Sequence, residues 1–294
     1  MRSNESKAYL YALICVLLWS TVATAFKLGL ETLKPAQLLF GSACISLIFF
    51  VCFLTLNSGW SELRNIEKND LNNLLLMGIM NPFLYYLLLF EAYDRLPAQI
   101  AQPLNFTWAI VYSLLAVIVL KQKLSRAGYL GMLISYIGVF VLLTKGQLVD
   151  LDQFDTLGIL LAILSTFLWA GFWIMSLKSP HSAPMKMCVS FMLGTPLIGL
   201  VCYFTVGFPP LNQTTLVYSG WVGLIEMGLT FLLWQHALAL TNQSARISQL
   251  IFISPLISLF LIHNVLGEQI HSSSFVALVL IIGGLLIGGR STTS

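Results

Sequence analysis

The sequence predicts an all-α integral membrane protein: ten transmembrane helices, arranged as two inverted five-helix repeats around a central cavity. Three observations point there. Apolar stretches recur along the whole chain, each of about 20 residues and so long enough to cross a ~30 Å hydrocarbon core. Only 9% of the 294 residues are charged and 57% are hydrophobic, whereas soluble domains carry about 25% charged residues. Features of the first half also return, in the same order, in the second.

The spans are expected at about 8–27, 35–56, 71–92, 98–119, 126–144, 156–176, 184–206, 215–239, 244–265 and 273–289. The first follows Arg2 and Lys7 and contains Ala23-Thr24-Ala25, which imitates a cleaved leader. It is read as a retained span, because removing it would leave four spans facing five, and because Trp19 has a counterpart in Trp169. The second is a plain apolar run ending at the polar stretch Asn57–Asp70. The third is interrupted by Asn81-Pro82, where proline frees a carbonyl one turn earlier. The fourth carries Gln99, Gln102, Asn105, Trp108 and Tyr112, too polar a set to face lipid comfortably. The fifth has Gly131 and Gly138, and the polar stretch Lys145–Asp155 after it reads as the hinge between units 1–149 and 150–294.

The second unit repeats these signals. Leu168-Trp169 in the sixth span answers Leu18-Trp19, Ala237 answers Ala92, and Ala277 and Gly284 answer Gly131 and Gly138. The eighth span contains Glu226 in the position that matches Asn81. The ninth offers the smaller set Ser248, Ser254, Pro255 and Ser258. Five is odd, so the second unit must enter the membrane from the opposite side, the architecture of alternating-access carriers. With the N-terminus inside, eleven Lys and Arg fall on the cytoplasmic side (Arg2, Lys7, Arg64, Lys68, Lys121, Lys123, Arg126, Lys178, Lys186, Arg246, Arg290) and four outside (Lys27, Lys34, Arg95, Lys145). That bias places both termini in the cytoplasm, with the chain multi-pass in the cell inner membrane.

Composition excludes several roles. No segment carries the basic stripe of a nucleic-acid binder. The five cysteines all fall in apolar runs with no Cys-x-x-Cys pair, so they read as small apolar residues, not metal ligands or disulfides. No Walker lysine loop occurs, so the chain does not hydrolyse ATP. No cofactor is expected.

The candidate site centres on Glu226. A carboxylate at bilayer depth costs about 2.5–3.5 kcal/mol on insertion scales, so it is normally retained for a function. Thr230 and Trp234 follow at i+4 and i+8, on one face of an α-helix. Asn81 with Tyr85, the stripe Gln102, Asn105 and Trp108, and the pair Trp169 and Trp173 complete the expected substrate-binding set. Tryptophans, tyrosines and one carboxylate suit an amphipathic, aromatic amino acid through stacking and cation–π contact. The competing reading is that Glu226 and the polar stripe join helices without touching substrate. Glu91 and His236 occupy matching places near the outer ends of two spans, either as a pH-sensitive pair or as interfacial groups. Lys27 and Lys34 are expected to snorkel to the outer surface, and His263 and Arg246 to sit at headgroup level.

Three segments carry a family resemblance: Leu18-Trp19-Ser20, the Ala92…Pro97-Ala98 junction, and Leu266-Gly267-Glu268, with Gly283-Gly284…Gly288-Gly289 in the final span. In these the chain resembles the drug/metabolite transporter superfamily, in particular its EamA-type ten-helix members, over essentially its full length. The resemblance implies a ten-helix basket around a central cavity that moves a small-molecule substrate, often exporting amino acids. One departure is that Gln122 stands where a glutamate often ends the fourth helix, while Glu268 keeps the pattern, read as anchoring the next turn. The expected function is thus a secondary transporter exporting amino acids or related small metabolites, driven by their gradient or by protons. The alternatives are a proton-coupled carrier of a purine, sugar or drug, and an intramembrane enzyme. The chain is not expected to be an enzyme, because His236 lies off the face of Glu226 and no catalytic constellation surrounds it.

Overall fold

The computed structural model describes residues 2–57, 59–66, 68–119, 126–143, 155–240 and 250–289. Lys121, Gln122, Lys123, Lys145, Arg246, Ser248 and Arg290 lie outside the described residues, as does most of the expected hinge and the start of the ninth span. Among the described residues the fold is helical throughout, with no strand. Six continuous helical stretches are long and apolar enough to cross a membrane: Glu5–Leu30, Pro35–Leu56, Asp70–Arg95, Thr156–Ser176, Ala183–Thr205 and Gln213–Ala237. Arg126–Val141, Ser254–Leu266 and Ser272–Gly284 are shorter apolar helices.

The elements run in order as follows. Helices α1 (Arg2–Ser20) and α2 (Val22–Leu30) form one span that breaks at Thr21, whose hydroxyl donates back to the Leu18 carbonyl at 2.7 Å. The expected single helix therefore has a joint, starts six residues earlier and ends three residues later. Helix α3 (Pro35–Leu56) starts on a proline that needs no N–H partner there. The third span is α4 (Lys68–Gly78), a π-helical segment at Ile79–Leu84, and α5 (Tyr85–Arg95). Its interruption centres on Asn81, extended at φ −145°, ψ 119°, before a cis bond to Pro82. The fourth is α6 (Ala98–Phe106) and α7 (Trp108–Val119), separated at Thr107, whose hydroxyl donates to Leu104 O at 2.7 Å.

Helix α8 (Arg126–Leu143) precedes α9 (Thr156–Lys178), which Asp155 caps by accepting from Gly158 N–H at 3.0 Å. Next come α10 (Ala183–Thr205) and a second interrupted span: α11 (Gln213–Gly220), a π-helical segment at Trp221–Leu229, and α12 (Thr230–Ala239). A short 3₁₀ turn at Leu250–Ile253 leads into α13 (Ser254–Leu266), which Gly267 ends in the left-handed region at φ 68°. Helix α14 (Ser272–Gly289) is last. Both π segments sit in the two spans that were expected to match, and each contains the polar residue singled out there.

Apolar side chains cover the outside of the bundle as well as filling its core. Leu13, Leu17, Ile48, Leu200 and Phe204 are exposed, while small polar residues such as Ser42, Ser46, Ser135, Ser190 and Ser258 are buried between helices. Small side chains let helix backbones approach closely where lipid supplies no hydrophobic drive. Two glycines mark matching close crossings. A Cβ on Gly78 would lie 2.8 Å from Ser190 O and 3.1 Å from Leu193 Cβ of α10; one on Gly223 would lie 2.6 Å from Ser42 O and 3.1 Å from Ile45 Cβ of α3. The Ser46 hydroxyl donates to Gly223 O at 2.8 Å, and a Cβ on Gly194 would lie 2.8 Å from Gly78 O. Helices α8 and α14 pair along their length: Gly138 faces Ala277, Gly284 faces Gly131, and the Ser135 hydroxyl donates to Ile281 O at 3.0 Å.

Candidate functional site

Glu226 sits inside the Trp221–Leu229 π segment with 9% of its surface accessible. Its Oε1 accepts a hydrogen bond from the neutral Tyr86 hydroxyl at 3.1 Å, and the Trp19 indole lies near it. Tyr86, on the first turn of α5, is 1% exposed and comes from the span that contains Asn81. The three groups thus join α1, α5 and the eighth span at mid-helix depth.

Around them lies a continuous set of aromatic rings. Tyr85 stacks on Trp169 at 4.5 Å between centroids, and Trp173 stacks on Phe231 at 5.7 Å with planes 6° apart. Trp169 meets Phe231 edge-on at 5.6 Å, and Trp19 meets Trp234 at 5.4 Å. Two further edge-on contacts have nearly equal lengths: Trp19 with Phe231 at 6.5 Å and Trp169 with Tyr86 at 6.4 Å. A polar relay runs beside the rings, where the Tyr85 hydroxyl donates to Asn105 Oδ1 at 3.4 Å and Asn105 Nδ2 donates to Ser165 Oγ at 3.3 Å.

The expected site residues fare differently. Glu226, Tyr85, Asn105, Trp169, Trp173 and Trp234 are drawn into this one network. Thr230 is wholly buried with its hydroxyl unpartnered, directly after the π segment that ends at Leu229. Asn81 is also completely buried, with both amide atoms unpartnered, and makes no hydrogen bond to Glu226. Gln102 is buried on α6, and Trp108 meets Tyr112 at 6.2 Å. Tyr86 and Phe231, absent from the expected set, occupy matching places in the third and eighth spans; that match was the signal that would have found them.

Four outer groups have identifiable partners. Lys27 does not snorkel; its Nζ donates to Tyr93 O at 2.8 Å and Leu96 O at 3.1 Å, at the C-terminal end of α5. Glu91 and His236 do not pair: Glu91 bonds Arg95 at 2.8 Å, and His236 packs edge-on to Tyr11 at 5.2 Å. Glu268 anchors no turn of its own. Its carboxylate accepts from Ala98 N–H at 2.8 Å and Gln99 N–H at 3.2 Å, capping α6, where a negative group is favoured by exposed N–H donors. Gln99 Nε2 in turn donates to Gln269 O at 2.8 Å.

These observations define a multi-pass helical membrane protein with a buried, aromatic-lined carboxylate. The chain belongs to the EamA-like transporter family, whose profile matches residues 6–144 and 156–288. It is similar to a probable amino-acid metabolite efflux pump of Salmonella typhimurium, 25% identical across 94% of this chain and 92% of that one. It is also similar to uncharacterized transporters of Clostridium kluyveri (22% identical, 97% and 94% covered) and Archaeoglobus fulgidus (24%, 96% and 97%). A solved crystal structure at 21% identity superposes with a TM-score of 0.68 over 98% of this chain and 99% of that one, which shows the shared fold.

Proposed function

We propose that this chain is a secondary carrier that exports amino acids or related small metabolites across the inner membrane by alternating access. The observation that carries the reading is Glu226, a mid-span carboxylate that accepts from the neutral Tyr86 hydroxyl among stacked rings. Such a group binds a substrate ammonium or a coupling proton. The Salmonella relative, named for amino-acid metabolite efflux, supports the substrate class.

The carrier has ten spans in two inverted units, with both termini cytoplasmic. Matched contacts support this arrangement. Gly78 meets Ser190 O and Leu193 Cβ as Gly223 meets Ser42 O and Ile45 Cβ, at closely similar distances. The edge-on pairs Trp19–Phe231 and Trp169–Tyr86 exchange in the same way. In the α8–α14 pair, Gly138–Ala277 and Gly131–Gly284 are one contact seen twice, with Ser135 and Ile281 between them. Such crossed pairing is what antiparallel helices give, and it supports a two-fold axis between the units that is perpendicular to the spans, in the membrane plane. Each unit contributes one span interrupted by a π segment, at Asn81 and at Glu226, as transporter sites at mid-membrane commonly are. Rocking of one unit against the other would open each side in turn.

Reporters fused to each end test the topology: both are expected in the cytoplasm, and a C-terminus outside with the N-terminus inside would overturn the inverted pairing. Reconstitution into proteoliposomes tests transport. Labelled amino acids or amines should exchange across the membrane, and absence of flux across a broad metabolite panel would overturn the carrier assignment.

A further inference from the structure

Resting on the carrier reading, we infer that the hairpin of α5 and α6 is a gate at the end of the bundle where α5 finishes. A clasp centred on Glu268 holds its tip shut in this structure and must release for that end to open.

The tip of the hairpin supplies the first argument. Leu96 and Pro97 join α5 to α6, and connections of this kind ordinarily run over the surface. Here Leu96 is 1% exposed, Ala98 0% and Gln99 7%. The groups that hold them come from distant parts of the chain. The Glu268 carboxylate accepts from the Ala98 and Gln99 N–H groups, Gln99 Nε2 donates to Gln269 O, and the Ser274 hydroxyl donates to Gln99 Oε1 at 3.3 Å. Beside them Arg95 bonds Asp155 at 3.0 Å. Glu268, Gln269, Ser274 and Asp155 all belong to the second unit, and the tip to the first. The holds are hydrogen bonds and an ion pair, which exchange for bonds to water when the partners separate.

The second argument is where the hairpin is jointed. Tyr85 directly follows the π segment with Asn81 extended inside it, and α6 stops at the Thr107 break. Hinge motion is absorbed by a few residues at the ends of elements. The hairpin thus has a joint at the root of each arm and the clasp at its tip. Its arms carry side chains of the site: Tyr86 on α5 meets Glu226, and Asn105 on α6 meets Tyr85. Helix α5 is 11 residues long, about 16 Å at 1.5 Å per residue. One continuous helix therefore connects the Glu226 bond to the clasp, and a change at either end bears on the other.

Thiol labelling reads the gate without a substrate. Ala101→Cys puts a reporter one turn inside the clasp, and Ala237→Cys puts one at the opposite end of the bundle, beside Ala8 and Ala12; both alanines are wholly buried. The purified full chain is treated with a small water-soluble methanethiosulfonate, and labelled residues are located by mass spectrometry. Glu268→Ala should speed labelling of the Ala101→Cys reporter at least about tenfold, the effect of losing one hydrogen bond to a charged group. Glu268→Gln should speed it less, and neither should change the Ala237→Cys reporter. If Ala101→Cys does not fold, Gln102→Cys, also buried on α6, takes its place. An unchanged rate, or an equal rise at both reporters, would overturn the inference. A second test locks the clasp: Gln99→Cys and Gln269→Cys are bridged by a reducible bifunctional thiol reagent, with each single variant as control. The bridged chain should lose flux of labelled amino acids in proteoliposomes and regain it on reduction. Full flux with the bridge in place would overturn the gate and leave the carrier reading standing. Labelling that responds as expected in a chain that moves nothing from a broad metabolite panel would instead overturn the carrier reading, and the gate's part in transport with it.

Discussion

The Tyr86 hydroxyl donates to Glu226 Oε1 at 3.1 Å, joining residues 140 apart in the chain at the centre of the aromatic cluster. A neutral hydrogen bond contributes about 0.5–1.5 kcal/mol, and one to an ionised group about 1.5–3 kcal/mol. The Tyr86 hydroxyl is thus expected to position the carboxyl group. Tyr86→Phe keeps the ring against Trp169 and removes only the hydroxyl, so flux should fall about tenfold while membrane insertion and yield are preserved. Normal flux at saturating and at low substrate would show that the bond has no part in transport.

Glu226→Gln removes the charge and keeps the shape. Transport, or its dependence on pH, should be lost without loss of insertion. A variant that carries every identified substrate at the normal rate between about pH 5 and 9 would return Glu226 to a helix-packing role.

The glycine crossings are tests of the packing. A Cβ on Gly223 would meet the Ser42 carbonyl at 2.6 Å, and one on Gly194 would meet Gly78 O and Pro82 Cδ at 2.8 Å. Overpacking of this kind costs about 1–3 kcal/mol. Gly223→Ala and Gly194→Ala should each lower the melting temperature of the detergent-solubilised protein by several degrees. Gly220 has nothing within 4 Å, so Gly220→Ala should be neutral or slightly stabilising. Equal melting of all three would contradict the close approach.

At the start of α9, the Gly158 N–H and then Arg95 hold the Asp155 carboxyl below the usual aspartate range. A depressed folded value means that its stabilisation is present above the unfolded value of about 3.9 and is lost as pH falls through the folded one. The melting difference between wild type and Asp155→Ala should be full at neutral pH, shrink below about pH 4, and vanish in stronger acid. A difference independent of pH would assign the effect to loop geometry instead.

Glu268 caps α6 from a distant part of the chain. Glu268→Ala should destabilise by about 1 kcal/mol, as loss of a helix cap does, and Glu268→Gln should recover part of it through its remaining acceptor. Melting curves of the two variants give the comparison, and equal stability of Glu268→Ala and wild type would remove the capping role.

Membrane class and the polar positions worth attention were legible in the sequence because each depends on local composition. A run of apolar residues partitions into lipid whatever its neighbours do, and Glu226 is conspicuous for the same reason. The order of matches Trp19 with Trp169 and Ala92 with Ala237 was equally visible. Which side chains meet was not. Tyr86 was passed over for Tyr85 because helical spacing cannot tell which of two adjacent rings faces another helix. Glu268 was assigned to its own turn because nothing local announces a partner at Ala98. Helix phase and the register between spans are set by close contacts such as Gly78 on Ser190 and Gly223 on Ser42. Those are properties of pairs of helices, so only the tertiary structure decides them.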